Sequence, residues 1–141
     1  MQVVELAEED ARWEAALPVL QELRGHLTFA TLQAVLREGA PQGLRFTAVF
    51  EGDQCLAVAG WRIIANTSAL RKLYVDDLST TADARSRGVG ALLLAELRSR
   101  ARAAGCSVLD LDSGVQRHAA HRFYLRERMD ITAHHFTERL L

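Results

Sequence analysis

Apolar positions along the chain change period several times, and each change marks an element. VVELA at 3–7 reads as a short first strand. Glu8, Glu9 and Asp10 follow and suit a helix N-terminus, where the backbone dipole favours negative charge. A helical stretch is therefore predicted to about Leu23, with a break and a second helical piece at Pro18 and a stop at Gly25. Phe29, Leu32, Val35 and Leu36 recur at spacings of three and four, which predicts a helix over 28–37. GAPQG at 39–43 is turn punctuation. Three β-type runs come next. RFTAVFE (45–51) is followed by the turn residues Gly52 and Asp53, then CLAVAGWRII (55–64), then ANTSA and LRKLYVDDLST (70–80). The short turns between them favour an antiparallel meander.

From Gly88 the period lengthens. Val89, Leu93, Leu97 and Ala101 form an i, i+4 stripe, widened by Leu92 and Ala104, while Arg98, Arg100 and Arg102 lie mostly off it. That is an amphipathic helix over 88–104, with Gly105 as its stop. SVLDLD (107–112) is a short strand broken by Gly114. Arg117 to about Arg128 is predicted helical, with Ala120, Phe123 and Tyr124 on the inner face, and DITAHHFTERL (130–140) closes the chain as a strand. The order β-α-α-β-β-β-α-β-α-β describes a mixed α/β layer with one parallel crossover around the long helix.

Length and composition narrow the picture. At 141 residues the chain is expected to be a single domain, 1–141. With 49% hydrophobic and 25% charged residues it has globular, not disordered, composition. No apolar run approaches the roughly 18–20 residues that span a bilayer. The acidic start MQVVELAEED lacks the basic segment of a secretory signal, so a cytoplasmic location is expected. A net charge of −1 makes no electrostatic case for nucleic acid or a membrane as partner. Cys55 and Cys106 sit in apolar stretches and read as reduced core thiols. Neither belongs to a CxxC or CxxH spacing, so no metal site is expected from them. His118 and His121 lie three apart on the last helix, whereas His134 and His135 would point to opposite faces of a strand. All four read as surface or satisfied core histidines, not as a metal cluster.

The chemistry concentrates in ARSRGVGALLL, between a strand and the long helix. Two glycines there let a ligand approach the backbone closely. The free N–H groups of a first helical turn bind anions, and Arg85 and Arg87 add positive charge. A dinucleotide fingerprint would need a third glycine where Leu93 stands. A P-loop would need Lys then Ser or Thr where Ala91 and Leu92 stand. The loop also comes after an antiparallel meander, not in an early βαβ unit. Two readings remain: a phosphate-binding loop of another kind, or a glycine-eased helix start without a ligand.

Arg85-Ser86-Arg87-Gly88-Val89-Gly90 resembles the R/Q-x-x-G-x-G/A motif of the GNAT superfamily, the acetyl-CoA-dependent N-acetyltransferases. DLSTTADARSRGVGALLLAEL is similar to that family's fourth strand, pyrophosphate loop and third helix. GCSVLDLDSG resembles its fifth strand, and AAHRFYLRE its tyrosine-bearing fourth helix. The resemblance covers about 70–136. It implies a mixed, mostly antiparallel central sheet of six to seven strands flanked by about four helices. It implies acetyl-CoA as cosubstrate and no metal, with the acyl group passing to a primary amine of a small molecule or peptide.

The resemblance also implies roles. The pyrophosphate would lie on Arg85, Ser86, Arg87, Gly88, Val89, Gly90 and Ala91, and the pantetheine arm along the backbone of Leu78, Ser79 and Thr80, with a strand amide near Leu78 facing the thioester oxygen. Tyr124 matches the tyrosine that protonates the leaving thiolate. Asp112, Asp77 and Asp76 are the candidate bases, with ordered water as the other route. Arg117 stands where many members carry a cofactor-contacting asparagine, and is expected to face solvent. Residues 23–29, with Arg24 and His26, together with Trp61 and Tyr74, would select the acceptor or simply pack in the core. Arg128-Met129-Asp130 replaces the usual Gly-Phe, and only one strand follows the last helix. An unpaired sheet edge would remain, so a homodimer using the C-terminal segment is expected. A non-catalytic acetyl-CoA-binding module, or an acyltransferase with another acyl donor, is the rival reading.

Overall fold

All 141 residues are described by the structure, a computed structural model. They divide into two compact units, Met1–Asp110 and Leu111–Leu141. In chain order the elements are β1 (Gln2–Leu6), α1 (Trp13–Leu23), α2 (Phe29–Gly39), β2 (Arg45–Glu51), β3 (Gln54–Ile64), β4 (Lys72–Thr80), α3 (Val89–Ala103), β5 (Val108–Leu111) and α4 (His118–Arg126). Single 3-10 turns at Ala40–Gln42 and Ala82–Ala84 follow α2 and β4.

The sheet order is β1-β2-β3-β4-β5, and the first four strands pair antiparallel. The Ser107 N–H donates to the Arg71 carbonyl at 3.0 Å, so β4 and β5 start at the same end and α3 is the parallel crossover between them. Strands β2 and β3 are buried almost throughout because both faces of the sheet are covered. On one face Phe46, Ala48, Phe50, Cys55 and Val58 pack with Trp13, Ala16, Val19 and Leu20 of α1 and Leu32 and Leu36 of α2. The intervening residues Thr47 and Val49 point to the opposite face, which α3 covers with its buried stripe of Val89, Leu93, Leu94, Leu97 and Ala101.

Trp61 belongs to this core, not to a binding wall. It is 1% exposed, its indole N–H donates to Thr47 Oγ1 at 2.9 Å, and Arg45 and Arg100 lie over its ring at 4.9 and 5.6 Å. Thr47→Val keeps the shape but leaves that N–H buried without an acceptor. The expected cost is about 1–3 kcal/mol, read as a lower urea midpoint at unchanged slope.

Several expectations need correction. Helix α1 starts at Trp13, because Asp10 takes both the N–H and the guanidinium of Arg12 in a turn ahead of it (2.9 and 2.7 Å). That guanidinium holds the Asp10 carboxyl below its usual range. Pro18 does not break the helix. It forfeits only the bond to the Glu14 carbonyl, and burial of Ala16, Val19 and Leu20 around it offsets a penalty of about 3 kcal/mol. On α2, Leu32 and Leu36 are buried while Phe29 and Val35 are exposed. On α3, Leu94 takes the place of Leu92. At 3.6 residues per turn Leu94 lies about 20° beyond Ala101 at one edge of the buried stripe, whereas Leu92 lies about 60° beyond Val89 at the other. Cys55 is buried, with its thiol pushed up to about 11 by desolvation, whereas Cys106 is only half-buried.

The largest correction concerns the sheet, which has five strands and not six to seven. Residues 129–141 carry no regular secondary structure. Their apolar alternation fails at His134-His135, and a strand exists only where a ladder partner satisfies its backbone. Ile131, Phe136, Leu140 and Leu141 are consequently exposed. Helix α4 also stops earlier than predicted. Met129 N–H bonds back to the Tyr124 carbonyl across Arg128, which sits at φ 66°, a left-handed position where glycine would be unstrained.

Candidate active site

The glycine loop is built by two left-handed residues. Arg85 is extended, Ser86 has φ 72° and Gly88 has φ 76°, after which α3 begins at Val89. The Arg87 N–H is taken by the Ala84 carbonyl (3.2 Å), and the Leu92 N–H by the Gly88 carbonyl (3.0 Å). Between them, the N–H groups of Val89, Gly90 and Ala91 have no partner within the protein, and no side chain caps the helix. A Cβ built on Gly88 meets nothing within 4 Å, so the space beside the loop is open. Three free donors at the positive end of a 15-residue helix form a ready anion cradle.

Side chains hold this loop in place. Thr81 Oγ1 accepts the Ala84 N–H, and Thr81 N–H reaches the Leu56 carbonyl at 3.0 Å. Arg87 is paired with both oxygens of Glu51 at 3.1 and 3.0 Å. It therefore clamps the loop to the β2–β3 turn. Arg85 stays exposed, with Glu22 at 3.9 Å as its ion-pair partner.

Just upstream, β4 carries an extra residue. Gly60 pairs with Asp77 but Trp61 pairs with Val75, leaving Asp76 in a bulge, which bends the strand and re-aims the residues beyond it. Leu78, Ser79 and Thr80 come after it. Strand β5 begins beside Arg71 and has four residues against the nine of β4, so this last stretch of β4 runs beyond it. Ser79 is buried, and its hydroxyl donates to the Val19 carbonyl of α1 at 2.7 Å. That bond satisfies a hydroxyl that would otherwise be buried without a partner.

The candidate bases on β4 are both engaged. Asp76 receives two hydrogen bonds from Arg62, at 2.9 and 2.8 Å. Asp77 Oδ1 accepts from Arg24 Nε at 2.8 Å, and the same guanidinium bonds the Asp76 carbonyl at 3.0 Å. Tyr74 has Arg62 and Lys72 over its ring at 5.6 and 5.4 Å.

In the second unit Tyr124 packs its ring 5.4 Å from that of Phe123. Burial pushes its hydroxyl above the usual tyrosine value, and the nearby Arg117 guanidinium opposes part of that rise. Arg117 therefore faces Tyr124, not solvent as expected. The two residues lie seven apart, on one face of α4 and its cap. Asp112 Oδ1 lies 3.5 Å from His135 Nδ1, and His121 Nε2 lies 2.7 Å from the Gly114 carbonyl. Sequence reasoning missed Arg62 and Glu51, and it named Arg24 and His135 without their partners Asp77 and Asp112. Each acts through a partner distant in the chain, and no local pattern marks such a pair. No group of three or more His, Cys, Asp or Glu side chains is placed to hold a metal, and no helix is long and apolar enough to cross a membrane.

Comparison with known proteins bears on this geometry. The Acetyltransferase (GNAT) family model matches residues 3–129, across both units. The chain is 34% identical over 113 residues to the uncharacterized N-acetyltransferase YhdJ of Bacillus subtilis (strain 168), covering 79% of this chain and 80% of that protein. It is 35% identical over 66 residues to the aminoalkylphosphonate N-acetyltransferase of Salmonella typhimurium (strain LT2), 47% of this chain and 43% of that protein. Among solved structures, the aminoglycoside N-acetyltransferase AAC(6')-Iy in complex with CoA superposes with a TM-score of 0.86 over 98% of this chain and 93% of that one. At 12% identity that likeness is one of fold. The loop, the bulged fourth strand and the family match lead to one conclusion: this chain belongs to the GNAT family of N-acetyltransferases.

Proposed function

We propose that the protein transfers the acetyl group of acetyl-CoA to a primary amine of a small molecule or peptide, by direct attack of the amine on the thioester. The observation that carries this reading is the row of unpartnered amides at Val89, Gly90 and Ala91, next to a Gly88 with nothing within 4 Å of its missing side chain. A diphosphate satisfies those donors, with Arg85, Ser86, Arg87 and Gly88 completing the loop around it. The pantetheine arm hydrogen-bonds the backbone of Leu78, Ser79 and Thr80 as an added strand would. The CoA carried by the structural neighbour supports the choice of cofactor.

The amine lone pair attacks the thioester carbon, and charge moves to the carbonyl oxygen, which the Leu78 N–H stabilises. Collapse breaks the C–S bond. The thiolate takes the proton of the Tyr124 hydroxyl, and the amine loses its own proton to Asp112 or Asp77, directly or through water. Because Asp76 already spends both oxygens on Arg62, we assign it a structural part instead. The same reading makes residues 1–141 one catalytic domain working in the cytoplasm. It also makes the exposed tail residues Ile131, Phe136 and Leu140 part of a homodimer contact, which light scattering reads directly.

Thermal denaturation with acetyl-CoA, ATP or NAD, followed by thiol release with a panel of amines, tests the proposal. Acetyl-CoA at a hundred times its Kd is expected to stabilise by about 2.7 kcal/mol, while ATP and NAD leave the midpoint unchanged. Stabilisation by ATP or NAD alone would refute the reading. Stabilisation by acetyl-CoA without thiol release for any amine would leave a binding module.

A further inference from the structure

The bulge of β4 sits within a chain of charged side chains, all in the first unit. Arg24 joins Asp77, Arg62 joins Asp76, and Lys72 joins Asp110 at 2.9 Å. Three cations meet three anions, and every carboxylate already has a cation. A polycationic acceptor needs unpaired carboxylates, because each of its ammonium groups must regain what it loses on leaving water. This strip offers none. The Asp110 Oδ1 is buried without a hydrogen-bond partner, but its carboxylate is the one already held by Lys72.

Arg24 has donors to spare. A guanidinium carries five N–H groups. Nε and one Nη2 position serve Asp77 and the Asp76 carbonyl, and the side chain is 44% exposed. The remaining donors form the edge that grips carboxylates and phosphonates in a fork. Its anchors on Asp76 and Asp77 fix that edge one to two residues from Leu78, roughly 3–7 Å along a strand.

We propose that Arg24 recognises an oxyanion on the acceptor. The substrate is then a short amine carrying a carboxylate or phosphonate two or three carbons from its nitrogen, and not a polycation. This rests on the acetyl-transfer reading and on the Leu78 amide marking the thioester. The Arg24–Asp77 pair neutralises one charge of the strip, so the acceptor anion meets a guanidinium that is oriented in advance.

The test compares kcat/KM for 2-aminoethylphosphonate, β-alanine, ethanolamine and kanamycin with acetyl-CoA saturating, in the wild type and in Arg24→Gln. The wild type is expected to prefer one of the two anionic amines over ethanolamine and over kanamycin by at least about tenfold. Which of the two leads tells phosphonate from carboxylate. Arg24→Gln should collapse the preference over ethanolamine to near unity, and Arg24→Lys should restore part of it. Should the glutamine variant fold poorly, added salt in the wild type gives the same information, since screening should shrink the preference. Equal or better use of ethanolamine or kanamycin by the wild type overturns the proposal, as does a preference that survives in Arg24→Gln. Absence of thiol release with all four amines, and with any other amine tried, instead marks failure of the acetyl-transfer reading and takes this inference with it.

Discussion

Tyr124→Phe is expected to lower kcat by about 10²- to 10⁴-fold while acetyl-CoA binds as before. The substitution removes one hydroxyl and keeps the ring that packs on Phe123. The leaving group is a thiolate whose thiol ordinarily titrates near pH 8.5, so a proton delivered during C–S cleavage matters most below that pH. Burial holds the Tyr124 proton above the ordinary value of 10.0, and Arg117 limits the rise. The native state therefore favours the neutral phenol, so this contribution to stability is complete below pH 10 and is lost as pH climbs through the folded value. The rate tracks the same window. It is expected to rise as the amine loses its proton and to fall above pH 10 as the phenol ionises. Stopped-flow thiol release across pH checks both features. In Tyr124→Phe the alkaline fall should vanish along with most of kcat. A variant that keeps kcat within twofold would remove Tyr124 from the chemistry.

The parts of this molecule that could be read from the sequence are those whose cause is local. The glycine loop is six contiguous residues, and the conformation of Gly88 follows from its own missing side chain. Strands β2, β3 and β4 announce themselves by composition, and α3 by its stripe, misjudged only in exchanging Leu92 for Leu94. The hidden parts are those that depend on a partner. Arg24 and Asp77 are 53 positions apart, Arg87 and Glu51 36, and Lys72 and Asp110 38. No spacing rule links them, yet they decide that Asp77 is engaged, that Arg87 is a clamp and that the charged strip at the β4 bulge is neutral. Pro18 shows the same thing in a helix, since a strong local breaker yields to the burial of its neighbours. The tail shows the converse. Apolar residues at 131–141 suggest a strand, but strand structure belongs to pairs of segments and this one has no pair within its unit.

Gly90→Pro is expected to weaken acetyl-CoA binding by about ten- to a hundredfold without loss of fold. Proline deletes an N–H and fixes φ near −65°, the value a first helical turn already has. Gly90 is the second residue of α3, and its N–H serves no bond within the protein, so the helix loses nothing. The unfolded chain loses freedom, so the thermal midpoint should hold or rise slightly. Gly88 is a poorer probe, because a side chain at φ 76° costs about 1–2 kcal/mol in the backbone itself and mixes folding with binding. A hydrogen bond to a charged group is worth about 1.5–3 kcal/mol, and each 1.4 kcal/mol is about a factor of ten in Kd. Ala91→Pro, one residue on, deletes the neighbouring donor and should act alike. Calorimetric titration with acetyl-CoA measures the loss, and S-acetylpantetheine, which lacks the diphosphate, supplies the contrast. Both proline variants should turn over S-acetylpantetheine at the wild-type kcat/KM. If acetyl-CoA affinity survives both substitutions, the diphosphate does not lie on the α3 N-terminus; if S-acetylpantetheine suffers as much as acetyl-CoA, the substitutions act through the shape of the fold and not through the missing donors.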